Sequence, residues 1–124
     1  MKPLPQDIEA EKYILGCCLI DNSCIGGIAE IVKPEYFYVK LHQEIFTAIC
    51  RLYIDGQPVD IISINNAMLE NSDYKSNGGA AIIKAFLDSV NTTAYYAHHA
   101  TIIKDKSLRR ATINIAAKIL KDID

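Results

Sequence analysis

The sequence predicts an all-α fold, with a compact helical head of about six short helices followed by one long C-terminal helix. Apolar residues recur at three- and four-residue spacings along most of the chain, which is the pattern of helices with one buried face. Helix-capping residues, prolines and glycines separate these periodic segments. The last quarter, residues 93–124, contains no Pro, no Gly and no cluster of turn residues. We therefore expect the head to occupy residues 1–92 and the long helix residues 93–124.

The first helix is expected to follow an extended lead-in that contains Pro3 and Pro5. Asp7 is a suitable N-cap, and Glu9 and Glu11 place negative charge in the first turns, where the helix dipole favours it. The predicted buried face consists of Ile14, Leu15, Cys18 and Leu19.

A second helix is predicted after Asp21-Asn22, which ends the first helix and caps the second, and Pro34 stops it. Its predicted buried face consists of Ile25, Ile28, Ala29 and Val32, at the i, i+3, i+4, i+7 spacing. Residues 34–38 are predicted to form one helical turn, whose aromatic side chains fill a gap between longer elements.

A third, longer helix is expected to end at Gly56, which supplies a left-handed cap at low steric cost. Its buried face would be Leu41, Ile45, Ala48, Ile49 and Leu52. Asp60 is a suitable N-cap for a fourth helix through Glu70, built on Ile61, Ile64 and Met68. The run 61–64 is also compatible with a strand, but the residues after it continue without a turn partner, so we expect a helix.

Residues 71–79 (NSDYKSNGG) are predicted to form a loop, because they are polar and end in two glycines. A further helix is expected over residues 80–90. Its residues spaced for burial are Ile82, Ile83, Phe86, Leu87 and Val90. Asn91-Thr92-Thr93 is expected to cap the long last helix.

The long helix carries more apolar surface than docking on its own head requires. At 1.5 Å rise per residue, residues 93–124 would span about 48 Å, whereas a compact domain of this length has a radius of gyration of about 14 Å. One apolar stripe is Ile113, Ala116, Ala117 and Leu120, and the other is Ile115, Ile119 and Ile123. A surface helix needs one stripe to dock on its core, so the second stripe predicts a partner.

Composition excludes several classes of protein. Half of the residues (50%) are apolar, 23% are charged and the net charge is −2, as in a soluble globular domain rather than a disordered chain. No apolar run approaches the roughly 18 residues of a membrane span. The N-terminus lacks the apolar core of a signal peptide, so we expect a cytoplasmic protein without a membrane partner. The balanced charge disfavours direct DNA binding by this chain.

The reactive side chains form no catalytic pattern. The four cysteines, Cys17, Cys18, Cys24 and Cys50, lack C-x-x-C spacing and are expected to be buried free thiols. His98 and His99 would point about 100° apart on a helix and cannot share one metal ion. There is no phosphate-binding loop and no zinc motif. We therefore predict no catalytic, cofactor-binding or metal-binding residue.

A basic cluster, Lys104, Lys106, Arg109 and Arg110, lies midway along the long helix. We expect a solvated face with Asp105 interleaved, and contact with an acidic partner is the alternative.

The opening of the chain resembles that of DnaB-type replicative DNA helicases. Residues 5–16, PQDIEAEKYILG, match the family pattern P-x-x-x-E-A-E-x-x-x-L-G. The resemblance continues through Tyr36-Phe37-Tyr38, His42, Ile45-Phe46, Gly56-x-Pro58-Val59-Asp60, Gly78-Gly79 and residues 102–110. These segments cover nearly the whole chain in one order.

This resemblance implies the non-motor N-terminal domain of a hexameric replicative helicase. In the family this domain is a helical head followed by a helical hairpin. Hairpins pair between subunits, the dimers form a three-fold collar, and the collar recruits a DnaG-type primase. A RecA-like motor domain follows, which uses ATP and Mg²⁺ and contacts DNA, and nothing in residues 1–124 matches it. Residues 93–124 would be the first hairpin helix, with the second just beyond Asp124, and a helicase loader is a further expected partner.

The resemblance also points to interface residues. Ile82, Ile113 and Ile119 match positions on the primase-facing surface of the family, so we expect them at an interface with primase or a neighbouring subunit. The chain departs from the family at three places. It has Ile82 where family members often have an aromatic residue, His98-His99 where they often have Tyr-Tyr, and Asn91 where they often have Pro.

The sequence leaves two other functions open. One is a stand-alone paralogue or adaptor in replication that lacks a motor, which a stop codon after Asp124 would favour over a Walker-type motif. The other is a small metal- or thiol-dependent enzyme using His98, His99 or Cys50, which stoichiometric metal in the purified protein would favour.

Overall fold

The computed structural model describes residues 3–123, and every regular element in that range is helical. The all-α prediction is therefore confirmed. The seven α-helices are α1 (Ile8–Ile20), α2 (Cys24–Ile31), α3 (Lys40–Ile54), α4 (Ile61–Ala67), α5 (Ser72–Ser76), α6 (Ala80–Asp88) and α7 (Tyr96–Ile123). A 3₁₀ turn, Pro34–Tyr36, precedes α3. Asp124, where the long helix was predicted to end, lies outside the described residues.

Helix α1 lies at the centre of the head and packs against α2, α3, α6 and α7. It begins where the sequence predicted, since the Asp7 carboxylate accepts a hydrogen bond from the Ala10 backbone N–H at 2.9 Å. Neighbours on several sides explain why α1 is apolar over most of its circumference. The four residues of its predicted face, Ile14, Leu15, Cys18 and Leu19, are all buried.

Helix α2 is shorter and less one-sided than predicted. It ends at Ile31, and Val32 is already extended, because Pro34 disfavours helical backbone just before it. Ile25, Ile28 and Val32 are buried, but Ala29 is exposed, so its predicted place on the buried face is wrong. The predicted turn at residues 34–38 is present, and Phe37 is the aromatic in it that is fully buried.

Helices α3 and α4 are joined by a tight turn. Gly56 has φ +71°, the left-handed conformation expected of it. Asp60 accepts from the Ser63 N–H, and the Ser63 hydroxyl accepts from the Asp60 N–H, which completes a capping box. This cap explains why residues 61–64 form a helix and not a strand. The helix ends at Ala67, three residues before the predicted Glu70.

The predicted loop at residues 71–79 is wrong, because it contains helix α5. The Asn71 side chain caps it by accepting from the Tyr74 N–H at 2.9 Å. The Tyr74 ring is buried, and its hydroxyl donates to Asn65 Oδ1 at 2.8 Å. One buried aromatic therefore orders a segment whose composition is otherwise typical of a loop. Gly78 and Gly79, both at positive φ, turn the chain into α6.

Helix α7 begins at Tyr96, three residues after the predicted Thr93, and α6 ends at Asp88, two before the predicted Val90. The connection between them is held by the Tyr13 hydroxyl, which donates to the Thr92 carbonyl, and by the Thr92 hydroxyl, which accepts from the Ala94 N–H. At 28 residues, α7 spans about 42 Å.

Candidate protein-interaction surface

The second half of α7 makes no buried contact with the head. Every residue from Ala111 to Ile123 is exposed, and we call this segment the arm. It includes five large apolar side chains, Ile113, Ile115, Ile119, Leu120 and Ile123, which are 44–74% exposed. Single exposed apolar residues are common on soluble proteins. Five on one projecting helix form a surface of the kind that binds another protein.

The first half of α7, by contrast, is anchored on the head. Ala100 and Ile103 are buried, and this part of the helix packs on α1 and α2. The Tyr96 ring fits over Gly27 of α2, where a Cβ atom would come within 3.0 Å of two ring carbons. The arm is therefore the continuation of a helix whose N-terminal half is fixed.

The three predicted interface residues lie on two elements. Ile82 is half-buried on α6 of the head, whereas Ile113 and Ile119 are exposed on the arm. Ile113 and Ile119 are six residues apart, so they point about 120° apart around the helix, one on each apolar stripe. Ile113 also lines an open cleft of about 410 Å³ together with Pro5, Leu108, Arg109 and Thr112. The arm can therefore present different stripes to different partners.

The histidines at the start of α7 pack against aromatic neighbours. The His99 ring lies 4.4 Å from the Tyr13 ring, centroid to centroid, and 5.2 Å from that of His98. Within residues 3–123, no three His, Cys, Asp or Glu side chains are grouped so that they could hold a metal ion.

The four thiols are free, and Cys17, Cys18 and Cys24 are buried as predicted, whereas Cys50 is half-buried. Burial raises the pKa of Cys17 to about 11 and that of Cys18 well above its ordinary value. Burial also raises the pKa values of Cys24 and Cys50. Because the thiolate is the nucleophile, all four are poor candidates for thiol chemistry near neutral pH.

The sequence did not reveal a buried polar pair, Glu11 and His42. Glu11 is 1% exposed and His42 6%. His42 Nδ1 lies 2.8 Å from Glu11 Oε1, and since a carboxylate oxygen accepts, the imidazole donates this hydrogen bond. The assignment of Glu11 to helix-start electrostatics was incomplete. Glu11 is three and four residues before Ile14 and Leu15, so its spacing does place it on the buried face.

The residues of the basic cluster differ in their exposure and in their partners. Lys104 is exposed, and Arg109 pairs with Asp105 one turn earlier, as a solvated face predicts. Arg110 is different, because it is half-buried and donates to the backbone carbonyls of Pro5 at 2.8 Å and Tyr36 at 2.7 Å. The expectation of a uniformly solvated cluster is wrong for this residue. The burial of Arg110 could have been predicted from its position, because it lies two turns after the buried Ile103 on the same face of the helix.

None of the helices in residues 3–123 is long and apolar enough to cross a membrane.

Sequence comparisons with known proteins identify one family. Residues 3–105 match the sequence model of a family described as the DnaB-like helicase N terminal domain. A curated relative, the replicative DNA helicase DnaB of Geobacillus stearothermophilus, is 34% identical over 95% of this chain. The replicative DNA helicase DnaC of Bacillus subtilis is 31% identical over 95% of it.

A solved structure agrees with the sequence comparisons. The N-terminal domain of DnaB helicase from Mycobacterium tuberculosis superposes with a TM-score of 0.91 at 28% identity, covering 96% of this chain and 83% of that one. The chain spans 26% of the length of the Geobacillus and Bacillus helicases, and both the family model and the solved structure that it matches are those of an N-terminal domain.

Proposed function

The chain belongs to the family of DnaB-like helicase N-terminal domains, and from this premise we propose that it is the non-motor assembly and primase-docking domain of a hexameric replicative DNA helicase. In this role it performs no catalysis. It holds subunits together and recruits the enzyme that makes primers.

The observation that carries this proposal is the exposed apolar arm. Burying an isoleucine side chain in a partner interface contributes about 1.5–3 kcal/mol. The arm offers Ile113, Ile115, Ile119, Leu120 and Ile123 on two stripes of a helix whose N-terminal half is anchored on the head. Surface of this kind is suited to pairing with another helix.

The two stripes suit two classes of partner. Other helicase subunits would bind along one stripe, which would assemble the dimers of a three-fold collar. A DnaG-type primase, through a helical domain, would bind the other stripe together with Ile82 on the head. A helicase loader is a third partner of the same assembly. Because Ile82 is half-buried, it offers less apolar area to primase than an exposed aromatic residue would.

The remaining functions of such a helicase belong to its motor domain. ATP and Mg²⁺ would bind there, and DNA would be contacted through it and not through this chain, whose net charge is −2. The whole assembly would act in the cytoplasm, where replication takes place in bacteria and their phages.

Substitution of one arm residue tests the proposal. Ile119→Asp places a charge on the second stripe without touching the head, and the matched control Lys118→Gln makes the same −1 change in net charge one residue away. We expect Ile119→Asp to weaken self-association or the binding of a DnaG-type primase by at least tenfold, which corresponds to about 1.4 kcal/mol. Light scattering measures self-association, and a titration with primase measures primase binding.

Lys118→Gln should match the wild-type protein in both assays. Should Ile119→Asp also match it in both, the arm would not be the interface and the proposal would be wrong. Ile113→Asp extends the test to the first stripe, and a loss confined to one assay would assign that stripe to one partner.

A further inference from the structure

The segment Tyr36–Val39, which we call the clasp loop, is held on one side by the buried Glu11 carboxylate. Glu11 Oε2 accepts from the Tyr38 N–H at 2.8 Å, and Oε1 accepts from the Val39 N–H at 3.3 Å and from His42. The amide of Gln43 adds a hydrogen bond to the Phe37 carbonyl at 2.7 Å. The N–H groups of Tyr38 and Val39 and the carbonyl of Phe37 are therefore bonded to side chains. The N–H groups of Tyr36 and Phe37 bond to carbonyls of the preceding turn.

The clasp loop is held on its other side by Arg110 of α7. One guanidinium nitrogen donates to the Tyr36 carbonyl and the other to the Pro5 carbonyl of the lead-in. The guanidinium carbon also lies 5.3 Å from the centre of the Tyr38 ring, within the range of a cation–π interaction. Because the guanidinium is a planar fork, it keeps both carbonyls only in a narrow range of orientations.

Arg110 is also placed where the arm leaves the head. It is the last residue of α7 before the exposed segment begins at Ala111. Within residues 3–123, the two side-chain hydrogen bonds that join α7 to other parts of the chain are both donated by Arg110. This side chain therefore ties α7 to the lead-in and the clasp loop at the point where the arm leaves the head, beyond the packing of Ala100 and Ile103.

We propose that the clasp loop couples the arm to the Glu11–His42 pair inside the head, with Arg110 as the positioning residue. A tilt of the arm moves the guanidinium, which pulls the Tyr36 carbonyl and the Tyr38 ring. The Tyr38 and Val39 N–H groups then lose their alignment with Glu11. The coupling is reciprocal, since a change at Glu11 also changes the hold on Arg110. This inference needs no partner protein, so it stands apart from the proposed function.

Backbone hydrogen exchange in Arg110→Met tests the coupling. Methionine keeps an unbranched apolar stem in place of the arginine stem but has no group that donates a hydrogen bond. We expect exchange of the Tyr38 and Val39 amides to become about five- to tenfold faster than in wild type. This increase corresponds to a loss of about 1 kcal/mol in the free energy of local opening. Core amides of α3, at Ile45 and Ile49, provide the reference for global unfolding.

Two variants control the experiment. Arg109→Met removes the neighbouring arginine, which is exposed and pairs with Asp105, and it should leave the Tyr38 and Val39 amides within twofold of wild type. Arg110→Lys keeps the charge and can reach one carbonyl, so we expect Tyr38 and Val39 amide exchange at a rate between those of wild type and Arg110→Met. If Arg110→Met does not fold, Arg110→Lys replaces it in the experiment. Equal acceleration at Ile45 and Ile49, or none at Tyr38 and Val39, would overturn the proposal.

The reverse direction is tested with Glu11→Gln. Two carbonyl hydrogen bonds slow the rotation of the Arg110 guanidinium, which side-chain nitrogen NMR detects. If the coupling is present, Glu11→Gln speeds this rotation severalfold while Arg109 is unaffected. Unchanged rotation at Arg110, with exchange at Tyr38 raised, would show that Glu11 holds the loop alone and would overturn the coupling.

Discussion

Gly16 of α1 lies directly against the backbone carbonyl of Phe86 in α6. A Cβ atom at Gly16 would be 2.6 Å from Cγ2 of Val90 and closer still to the Phe86 oxygen. A backbone carbonyl inside a helix cannot rotate aside as a side chain can. The absence of a side chain at Gly16 therefore sets how closely the central helix and α6 approach.

Gly16→Ala is predicted to destabilise the head. The substitution gains about 0.5–1 kcal/mol of helix propensity, but it forces α1 and α6 apart, and overpacking of a core contact costs about 1–3 kcal/mol. We expect a net loss, seen as a lower urea midpoint.

Gly26→Ala is the matched control for that measurement. A Cβ atom there would be 3.3 Å from the Tyr53 hydroxyl, which is the end of a flexible side chain. This substitution should be neutral or stabilising. Equal losses at both positions would show that glycine at Gly16 is not required for the close approach.

Adjacent residues of α6 provide a second comparison. Ile83 is 0% exposed, so Ile83→Ala removes buried methyl groups and leaves a cavity, at a cost of about 2–5 kcal/mol. Ile82 is half-buried, and Ile82→Ala should cost clearly less. Denaturant unfolding of both variants measures the difference. A larger loss at Ile82 would mean that it serves the core and not a partner.

Sequence patterns predicted the helices well where burial follows a regular period. Ile14, Leu15, Ile45 and Ile49 repeat at helical spacing and are all buried. Helix α5 was missed because a single residue, Tyr74, orders it through a contact with Asn65 of the preceding helix. One contact between two short helices produces no repeating pattern in the sequence. Helix ends also differed by two or three residues, because local caps rather than propensity fix them.

The Glu11–His42 pair provides a third prediction. Removal of one partner from a buried polar pair costs about 3–5 kcal/mol. Glu11→Leu leaves three donors unsatisfied, and His42→Leu leaves the carboxylate without its imidazole. We expect each to be strongly destabilising, and the double variant to lose less than the sum. Strict additivity in this double-mutant cycle would mean that the two side chains act independently.

The candidate surface was predictable in part. Two apolar stripes on a helix too long for its head were visible in the sequence, which implied one stripe docked on the head and one free for a partner. Residues 111–123 are all exposed, so neither stripe docks on the head. The roles of Glu11 and Arg110 were not visible, because charged residues on a helix are usually solvated and most of their partners here are backbone groups 27 to 105 positions away. Backbone acceptors carry no residue identity, so no sequence pattern marks them.

Stability is predicted to fall at alkaline pH. Burial raises the pKa of Cys17 from 9 to about 11, and burial also raises the pKa of Tyr13 from 10 to about 12. In each case the unfolded state loses its proton first. The stabilisation is therefore complete below the unfolded pKa and is lost as the pH rises towards the folded pKa.

Urea midpoints between pH 8 and 11 measure this loss. Cys17→Ala should flatten the profile above pH 9, and Tyr13→Phe should flatten it above pH 10, although each variant starts from a lower stability. A profile that keeps its slope in both variants would assign the alkaline loss to other groups.

Deletion of most of the arm, from Ile115 onward, is predicted to leave the head unchanged. A chain ending at Asn114 lacks Ile115, Ile119 and Leu120 but keeps Arg110, so its urea midpoint should stay within the small range of surface changes, about 0.5 kcal/mol. A chain ending at Lys106 also loses the two carbonyl hydrogen bonds of Arg110 and should unfold at a lower midpoint. Because the two truncations differ only in residues 107–114, the comparison isolates the point at which α7 stops stabilising the head. Destabilisation by the shorter deletion would mean that the exposed stripes contact the head in solution, and they would then be unavailable to a partner.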